Sequence, residues 1–125
     1  MVTRSRYPYA ETVSRLVTTI TQAGNTVFAT IDQAAAAQTA GLSLRPTTLI
    51  VFGNPKGGTL LMDAFPLVAL DLPLKLLVWQ DGDAVSVAHT PAAEIAARYG
   101  VTGKDALVAT MDAALRMLTD SVGAV

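Results

Sequence analysis

Two apolar segments with strand character, separated by three prolines, constrain the fold of this chain more than any other feature. Residues 47–53 (TTLIVFG) and 74–80 (LKLLVWQ) are rich in branched and aromatic side chains, which favour extended β-strands. Four consecutive apolar residues in the first segment indicate a strand at the centre of a sheet. Proline blocks a continuous helix, so the segment between the strands is expected to be mostly irregular. The interrupting prolines are Pro55, Pro66 and Pro73.

The segment between the two strands is predicted to form only short helical turns, at residues 59–64 and 67–70. Its beginning, GNPKGGT at residues 53–59, has the two-glycine spacing of a phosphate-binding loop. That motif requires lysine directly after the second glycine, and this chain has threonine there. We therefore predict that Gly57 and Gly58 supply unusual backbone angles for a turn, with anion binding by the loop as the alternative.

The remaining elements follow from periodicity and turn residues. Asp81-Gly82 predicts a hairpin that leads into an antiparallel strand at residues 84–89. Thr90 and Thr102 are predicted to cap the N-termini of the last two helices with their hydroxyl groups. Nearer the N-terminus, the pattern predicts helices at residues 9–23 and 33–40 and a strand at residues 26–32.

The predicted order of elements is β-α-β-α-β, an irregular segment, and then β-β-α-α. A hairpin and short links favour a mostly antiparallel sheet of about five strands, with the helices on one face. The fold class is therefore α+β with two layers. A chain of 125 residues is expected to form a single domain that spans residues 1–125.

The composition bears on what this domain contacts. Hydrophobic residues make up 51% of the chain and charged residues only 15%. Such a chain has little polar surface, so we expect another copy to cover an apolar face in a homodimer. The net charge of −1 argues against nucleic acid and anionic membranes as partners.

Several kinds of site and location are disfavoured by the residues present. The chain has no cysteine and one histidine, so we expect no disulfide, no metal site and no cofactor. No segment approaches the roughly 20 apolar residues of a membrane span, and the first residues lack the apolar core of a signal peptide. The expected location is cytoplasmic.

Alternation along the second strand suggests where to look for a functional surface. Lys75, Leu77 and Trp79 point to one side of the sheet, opposite to their apolar neighbours at residues 74, 76 and 78. We call the side that carries these three residues the second face. It is predicted to form a dimer interface or a ligand pocket, and the alternative is a sheet buried on both sides within the monomer.

Three ionisable residues are candidates for chemistry. Asp71 lies in an apolar run, where it would cap local N–H groups, pair with a cation such as Lys75, or act in catalysis with a shifted pKa. Lys75 would be a surface residue, part of an intersubunit ion pair, or a ligand anchor. His89 ends a strand without a visible partner, which is typical of a capping or surface histidine.

Several blocks of the sequence resemble the DUF302 family (domain of unknown function 302). They are ETVSRL, GNTVFATIDQAAAAQTAGLSLRPT, FGNPKGGTLLM, ALDLPLKLLVWQD and IAARYG, which together cover roughly residues 7–101. The resemblance implies a curved antiparallel sheet in an arrangement similar to that of the TATA-binding protein, and a tendency to form homodimers. It implies no reaction, because the function of the family is unassigned, and the shape analogy does not carry DNA binding.

The chain departs from the family pattern at three places. Gln33 follows Ile31-Asp32 where the family usually has histidine, and Gln80 follows the tryptophan where it usually has glutamate. The turn at residues 88–91 reads AHTP where the family typically has Tyr-Asn-Asp-Pro. Acid–base or metal chemistry that used the family's histidine and glutamate would be lost in this chain.

The sequence supports three hypotheses. The first is a homodimeric domain that binds a small anionic or polar molecule between the second face and the Asn54–Asp71 segment, with Asn54, Lys56, Asp71, Lys75 and Trp79 as ligand-binding residues. The second is an enzyme that uses Asp71, Lys75 or His89 for proton transfer. The third is a structural or partner-interaction module.

Overall fold

A computed structural model describes residues 1–124 of the chain and contains five strands and five α-helices. Most of these elements follow the expected order. A 3₁₀ turn at Pro66–Leu70 joins the third helix to the fourth strand. The strands are β1 (Val2–Arg4), β2 (Thr26–Asp32), β3 (Thr47–Gly53), β4 (Leu74–Asp81) and β5 (Ala84–Ala88), and the helices are α1 (Tyr9–Gln22), α2 (Gln33–Thr39), α3 (Pro55–Ala64), α4 (Ala92–Arg98) and α5 (Asp105–Val122).

The five strands form one antiparallel sheet in the order β1-β5-β4-β3-β2. The apolar strands β3 and β4 lie next to each other near its centre, with Leu49 opposite Leu77 and Phe52 opposite Leu74. The Asp81-Gly82 hairpin joins β4 to β5, and Gly82 has a φ of 60°, as this tight turn requires. The α+β class with a curved five-stranded sheet is therefore confirmed.

The two faces of the sheet differ in burial, as the period of two predicts. Along β4, residues 74, 76 and 78 are buried while 75, 77 and 79 are partly exposed. Burial alternates in the same way along β3 and β5. The buried side packs on apolar residues of α1, α3, α4 and α5, including Leu16, Leu61, Ile95 and Leu115. The second face is therefore the side of the sheet that these helices leave open.

The segment after β3 is more regular than predicted. Pro55 does not interrupt a helix there but begins one, because the first helical position needs no N–H donor. Asn54 precedes it as the N-cap, and its side-chain oxygen accepts a hydrogen bond of 3.0 Å from the Lys56 N–H. The prediction that Gly57 and Gly58 form a turn was wrong, since both lie in α3 and neither has a positive φ.

The predicted caps of the last two helices were also wrong. Neither Thr90 nor Thr102 caps a helix with its side chain, since the residues in the capping positions are Pro91 and Lys104. The first N–H groups of α4, those of Ala92 and Ala93, donate instead to Asp112, which lies in α5. A residue twenty positions away in sequence thus serves the role that a neighbouring threonine was expected to fill.

Candidate functional site

An apolar cavity of about 190 Å³ lies at one end of the sheet, between its helix-facing side and helices α3 and α5. Phe52 and Leu74, which are paired on β3 and β4, close it from the side of the sheet. Met62 of α3 and Met111 of α5 contribute flexible thioether side chains to its wall. The cavity therefore depends on several separate elements, and none of its lining side chains described here carries a charge.

Phe28 reaches this cavity because β2 contains a bulge. Val27 pairs with Phe52 and Ala29 pairs with Val51, so Phe28 is an extra residue without a partner on β3. A bulge bends the strand and redirects a side chain. The Phe28 ring is 52% exposed and also lines the cavity, so it lies between the cavity and solvent.

The first turn of α3 forms another part of the wall. Gly53, Gly57 and Gly58 all line the cavity and leave bare backbone where other residues would place side chains. A Cβ added at Gly57 would lie 3.3 Å from Leu107 Cδ1, and one at Gly58 would lie 3.7 Å from Met62 Cε. Gly58 therefore keeps space open at this wall, whereas at Gly57 Leu107 already fills the space that a side chain would need.

The five residues predicted to bind a ligand do not surround one cavity. Asn54 lines the apolar cavity, whereas the exposed Lys56 is absent from its lining. Asp71 and Lys75 border a different, more polar depression. Trp79 lies toward the opposite end of β4, where it is paired with Thr47 and Ser86.

Asp71 is held in an ion pair. Its Oδ2 accepts a hydrogen bond of 2.6 Å from Arg98 Nη1 and one of 2.7 Å from the Tyr99 hydroxyl. Both bonds lower the pKa of Asp71 below its ordinary value, and the bond from Tyr99 has the larger effect. The same contacts raise the pKa of Tyr99 and of Arg98. Asp71 therefore ties the end of the 3₁₀ turn to α4 as a carboxylate, and the cation it pairs with is Arg98.

Lys75 lies in the depression beside this ion pair. Its ammonium group donates a hydrogen bond of 3.1 Å to the Pro73 carbonyl oxygen. Leu70, Ile95 and Thr90 also border the depression, so charged and apolar groups meet there. Lys75 is close enough to Asp71 to contribute to the lowering of its pKa.

His89 stands apart from the other two ionisable candidates. Its Nδ1 is buried and has no hydrogen-bond partner among the described residues. Burial, followed by the nearby N-terminal amine, lowers the pKa of His89, and the Asp112 carboxylate opposes this shift. Asp112 is itself occupied, since it accepts bonds of 2.6 and 3.1 Å from the N–H groups of Ala92 and Ala93. The geometry therefore does not unite Asp71, Lys75 and His89 in one cluster for proton transfer.

Two features of residues 1–124 bear on other classes of site. No group of three or more histidine, cysteine, aspartate or glutamate side chains within residues 1–124 is placed to hold a metal ion. None of the helices in that part of the chain is both long and apolar enough to cross a membrane.

The two glutamines at which the chain departs from the family pattern lie away from the cavity. Gln33 begins α2, directly after Asp32, which is paired with Thr48. Gln80 donates a side-chain hydrogen bond of 2.9 Å to the Gly82 carbonyl. Both lie near the start of β3, whereas the cavity lies at the end of that strand. Chemistry lost with these two side chains is therefore separate from the cavity.

The main cavity residues were not identified from the sequence. Phe28, Met62, Leu107 and Met111 come from three elements, β2, α3 and α5, and share no single local motif. Each one fits a strand or helix pattern as an ordinary apolar residue. The glycine-rich segment 53–59 was the only local indication of this wall, and it indicated a turn or an anion-binding loop instead.

Comparison with known proteins gives partial matches to longer chains. The chain is 46% identical over 78 residues to the protein named Fluoride-specific ion channel FluC 1 of Brucella suis biovar 1 (strain 1330), covering 62% of this chain and 31% of that protein. The match to FluC 1 of Brucella abortus biovar 1 (strain 9-941) has the same identity and length and covers 29% of that protein. The chain thus spans less than a third of these curated relatives.

A solved structure and a family model match nearly the whole chain. The crystal structure of an uncharacterized conserved protein DUF302 from Bacillus stearothermophilus has a TM-score of 0.88 and 20% identity, and the match covers 98% of this chain and 96% of that one. This likeness establishes the fold. The model for the domain of unknown function DUF302 matches residues 1–118. The chain therefore belongs to the DUF302 family.

Proposed function

We propose that this domain binds a small, mainly apolar molecule in the cavity between the end of the sheet and helices α3 and α5. The observation that carries the proposal is an uncharged cavity of about 190 Å³ that side chains from several rigid elements surround. Ligand sites are typically concave and mostly apolar, with a few polar groups. Asn25, Asn54 and Thr110 supply the polar groups here.

The size of the cavity limits the ligand. An engineered apolar cavity of about 150 Å³ holds benzene, so a cavity of about 190 Å³ accommodates one ring with a short substituent. Because none of the described lining residues is charged, the cavity favours a neutral ligand over the anionic molecule expected from the sequence. Lys56 and Lys75 are the residues on which that earlier expectation rested, and neither lines this cavity.

The methionines provide a direct test. The chain has four, of which Met62 and Met111 line the cavity while Met1 and Met117 do not. In protein labelled with ¹³C at the methionine methyl groups, a bound one-ring compound should shift the NMR signals of Met62 and Met111. The other two signals should not move. Signals that stay unchanged across a panel of neutral one-ring and short-chain compounds would contradict the proposal.

We also propose that the domain is a homodimer whose interface is the second face of the sheet. Leu49, Leu77 and Trp79 are partly exposed there, on the side that the core-forming helices leave open. Five strands spaced about 4.8 Å apart, over about five residues each, give a flat area of roughly 400 Å² per copy. The apolar residues of this face lie within an area comparable to the largest apolar patch of a typical monomer, and such a patch is often functional.

Sedimentation velocity tests the dimer with a matched pair of variants. Leu77→Lys places a charge in the middle of the second face and should convert the dimer to a monomer. Leu67→Lys changes a leucine that is 68% exposed in the 3₁₀ turn and should leave the dimer intact. Wild-type protein that sediments as a monomer at micromolar concentration would overturn the proposed interface.

A second candidate function rests on the relatives that are named fluoride-specific ion channels. The segment shared with them covers 62% of this chain, which favours a role for the domain in the handling of fluoride. Cells that lack the gene should then grow less well in fluoride than the parent strain, and equally well in chloride. Equal growth of the two strains over a fluoride series would contradict this role without affecting the cavity proposal.

A further inference from the structure

Aromatic and sulfur-containing side chains meet in the lining of the cavity. The chain has three phenylalanines and four methionines. Two of each, Phe28 and Phe52 with Met62 and Met111, line this one cavity. Two aromatic rings and two thioether groups are therefore available to one bound molecule.

The glycines that line the cavity, Gly53, Gly57 and Gly58, are its second distinctive feature. At Gly53, an added Cβ would lie 3.6 Å from Pro73 Cβ and 3.8 Å from Phe28 Cε2, and at Gly57 it would lie 3.3 Å from Leu107 Cδ1. Without a Cβ at these positions, neighbouring side chains and a ligand approach the backbone closely.

We infer that the cavity selects a planar aromatic ring over a saturated ring of the same size. This inference rests on the proposed binding function and names the chemical class of the ligand. Aromatic rings gain attraction from each other in offset or edge-to-face arrangements. Methionine sulfur also makes favourable contacts with ring edges. A saturated ring fills the same space without either interaction.

The position of Phe28 makes it the residue that carries the preference. Phe52 is fully buried and belongs to the core, so it also supports the fold. Phe28 is an unpaired bulge residue at the edge of the sheet and is 52% exposed. Its ring can therefore be replaced by a leucine side chain with little effect on folding, while the aromatic contact with a ligand is lost.

Benzyl alcohol and cyclohexylmethanol provide the matched probes, because they share one carbon skeleton and one hydroxyl group. Titration of each compound, followed through the Met62 and Met111 methyl signals, gives the two dissociation constants. We expect benzyl alcohol to bind about fivefold more tightly, from the usual strength of one or two aromatic contacts. The saturated alcohol is the more hydrophobic of the two, so hydrophobic burial alone predicts the opposite order.

Two variants locate the source of the preference. Phe28→Leu should reduce the ratio of the two dissociation constants toward one. Phe65→Leu changes the third phenylalanine, which does not line the cavity, and should leave the ratio unchanged. Equal or tighter binding of cyclohexylmethanol to the wild type would overturn the aromatic preference and leave the binding function standing. Failure of both alcohols, and of the wider panel, to shift either methyl signal would overturn both.

Discussion

Replacing Gly58 by alanine should stabilise the protein and weaken ligand binding in the same variant. Gly58 lies inside α3 with no positive φ, so alanine fits its backbone conformation. An added Cβ would meet only Met62 Cε, at 3.7 Å, which is an ordinary contact. Glycine inside a helix costs about 0.5–1 kcal/mol relative to alanine. The free energy of unfolding should rise by that amount, which corresponds to an increase in Tm of about 2–5 °C.

The effect on binding follows from where the new methyl group lies. Gly58 lines the cavity, so its Cβ would occupy part of the space open to a ligand, next to Met62. Circular dichroism during thermal unfolding gives the Tm, and the Met111 methyl signal reports the affinity for benzyl alcohol. We expect a higher Tm together with a larger dissociation constant.

Gly100→Ala is the control for the stability effect. Gly100 has a φ of 64° and nothing within 4 Å of the position of an added Cβ. Alanine there would be strained by the left-handed backbone alone, at a cost of about 1 kcal/mol or more. If Gly58→Ala lowered the Tm as far as Gly100→Ala does, the helical conformation assigned to Gly58 and its open space would be refuted.

Three further substitutions test other contacts. Asp71→Asn should lower the Tm at neutral pH, because hydrogen bonds from Tyr99 and Arg98 hold the pKa of the Asp71 carboxyl below its usual value. The difference in Tm between variant and wild type should be present above about pH 4. It should disappear as the pH falls through the lowered pKa. Asp112→Ala removes two hydrogen bonds to the start of α4 and should lower the free energy of unfolding, measured in urea, by about 1–2 kcal/mol. Asp120→Ala is the control, because Asp120 is an exposed residue of α5, the helix that also contains Asp112. It should change the free energy of unfolding by less than about 0.5 kcal/mol. Thr90→Ala should also be nearly neutral, since its hydroxyl caps no helix.

The sheet could be predicted from sequence because its evidence is local and periodic. In β4, each alternate residue from 74 to 78 is buried, and this pattern is readable without knowing what covers either face. The hairpin at Asp81-Gly82 was predictable for the same reason, since turn type depends on two adjacent residues. These two features were enough to establish antiparallel order at the centre of the fold.

Helix boundaries were less predictable where residues distant in sequence accept hydrogen bonds from the first backbone N–H groups of a helix. Asp112 binds the first N–H groups of α4 from another helix, and no pattern near Thr90 reveals this. The prolines misled in a different way. Pro55 predicts an interruption because proline is disfavoured in helix interiors, but the same residue is favoured at the first position of a helix. Sequence alone did not distinguish these two positions.

The cavity could not be predicted because it is a space that several strands and helices together leave unfilled. Phe28 reaches it through a bulge, which shifts the pairing register of β2 by one residue. The strand pattern of residues 26–32 contains no mark of that shift. A one-residue shift changes which side chains face the core, so a small local irregularity decides whether this ring lines the cavity.

Gly57 and Gly58 connect the stability of α3 to the presence of the cavity. Two glycines inside one helix together cost about 1–2 kcal/mol relative to alanine. Alanine at Gly57 would come within 3.3 Å of Leu107 Cδ1, so steric contact offers a partial explanation for glycine there. At Gly58 no close contact excludes alanine, and packing alone gives no reason for the cost. Glycine at position 58 leaves part of the cavity next to Met62 open. That open space contributes a favourable interaction only when a ligand occupies it.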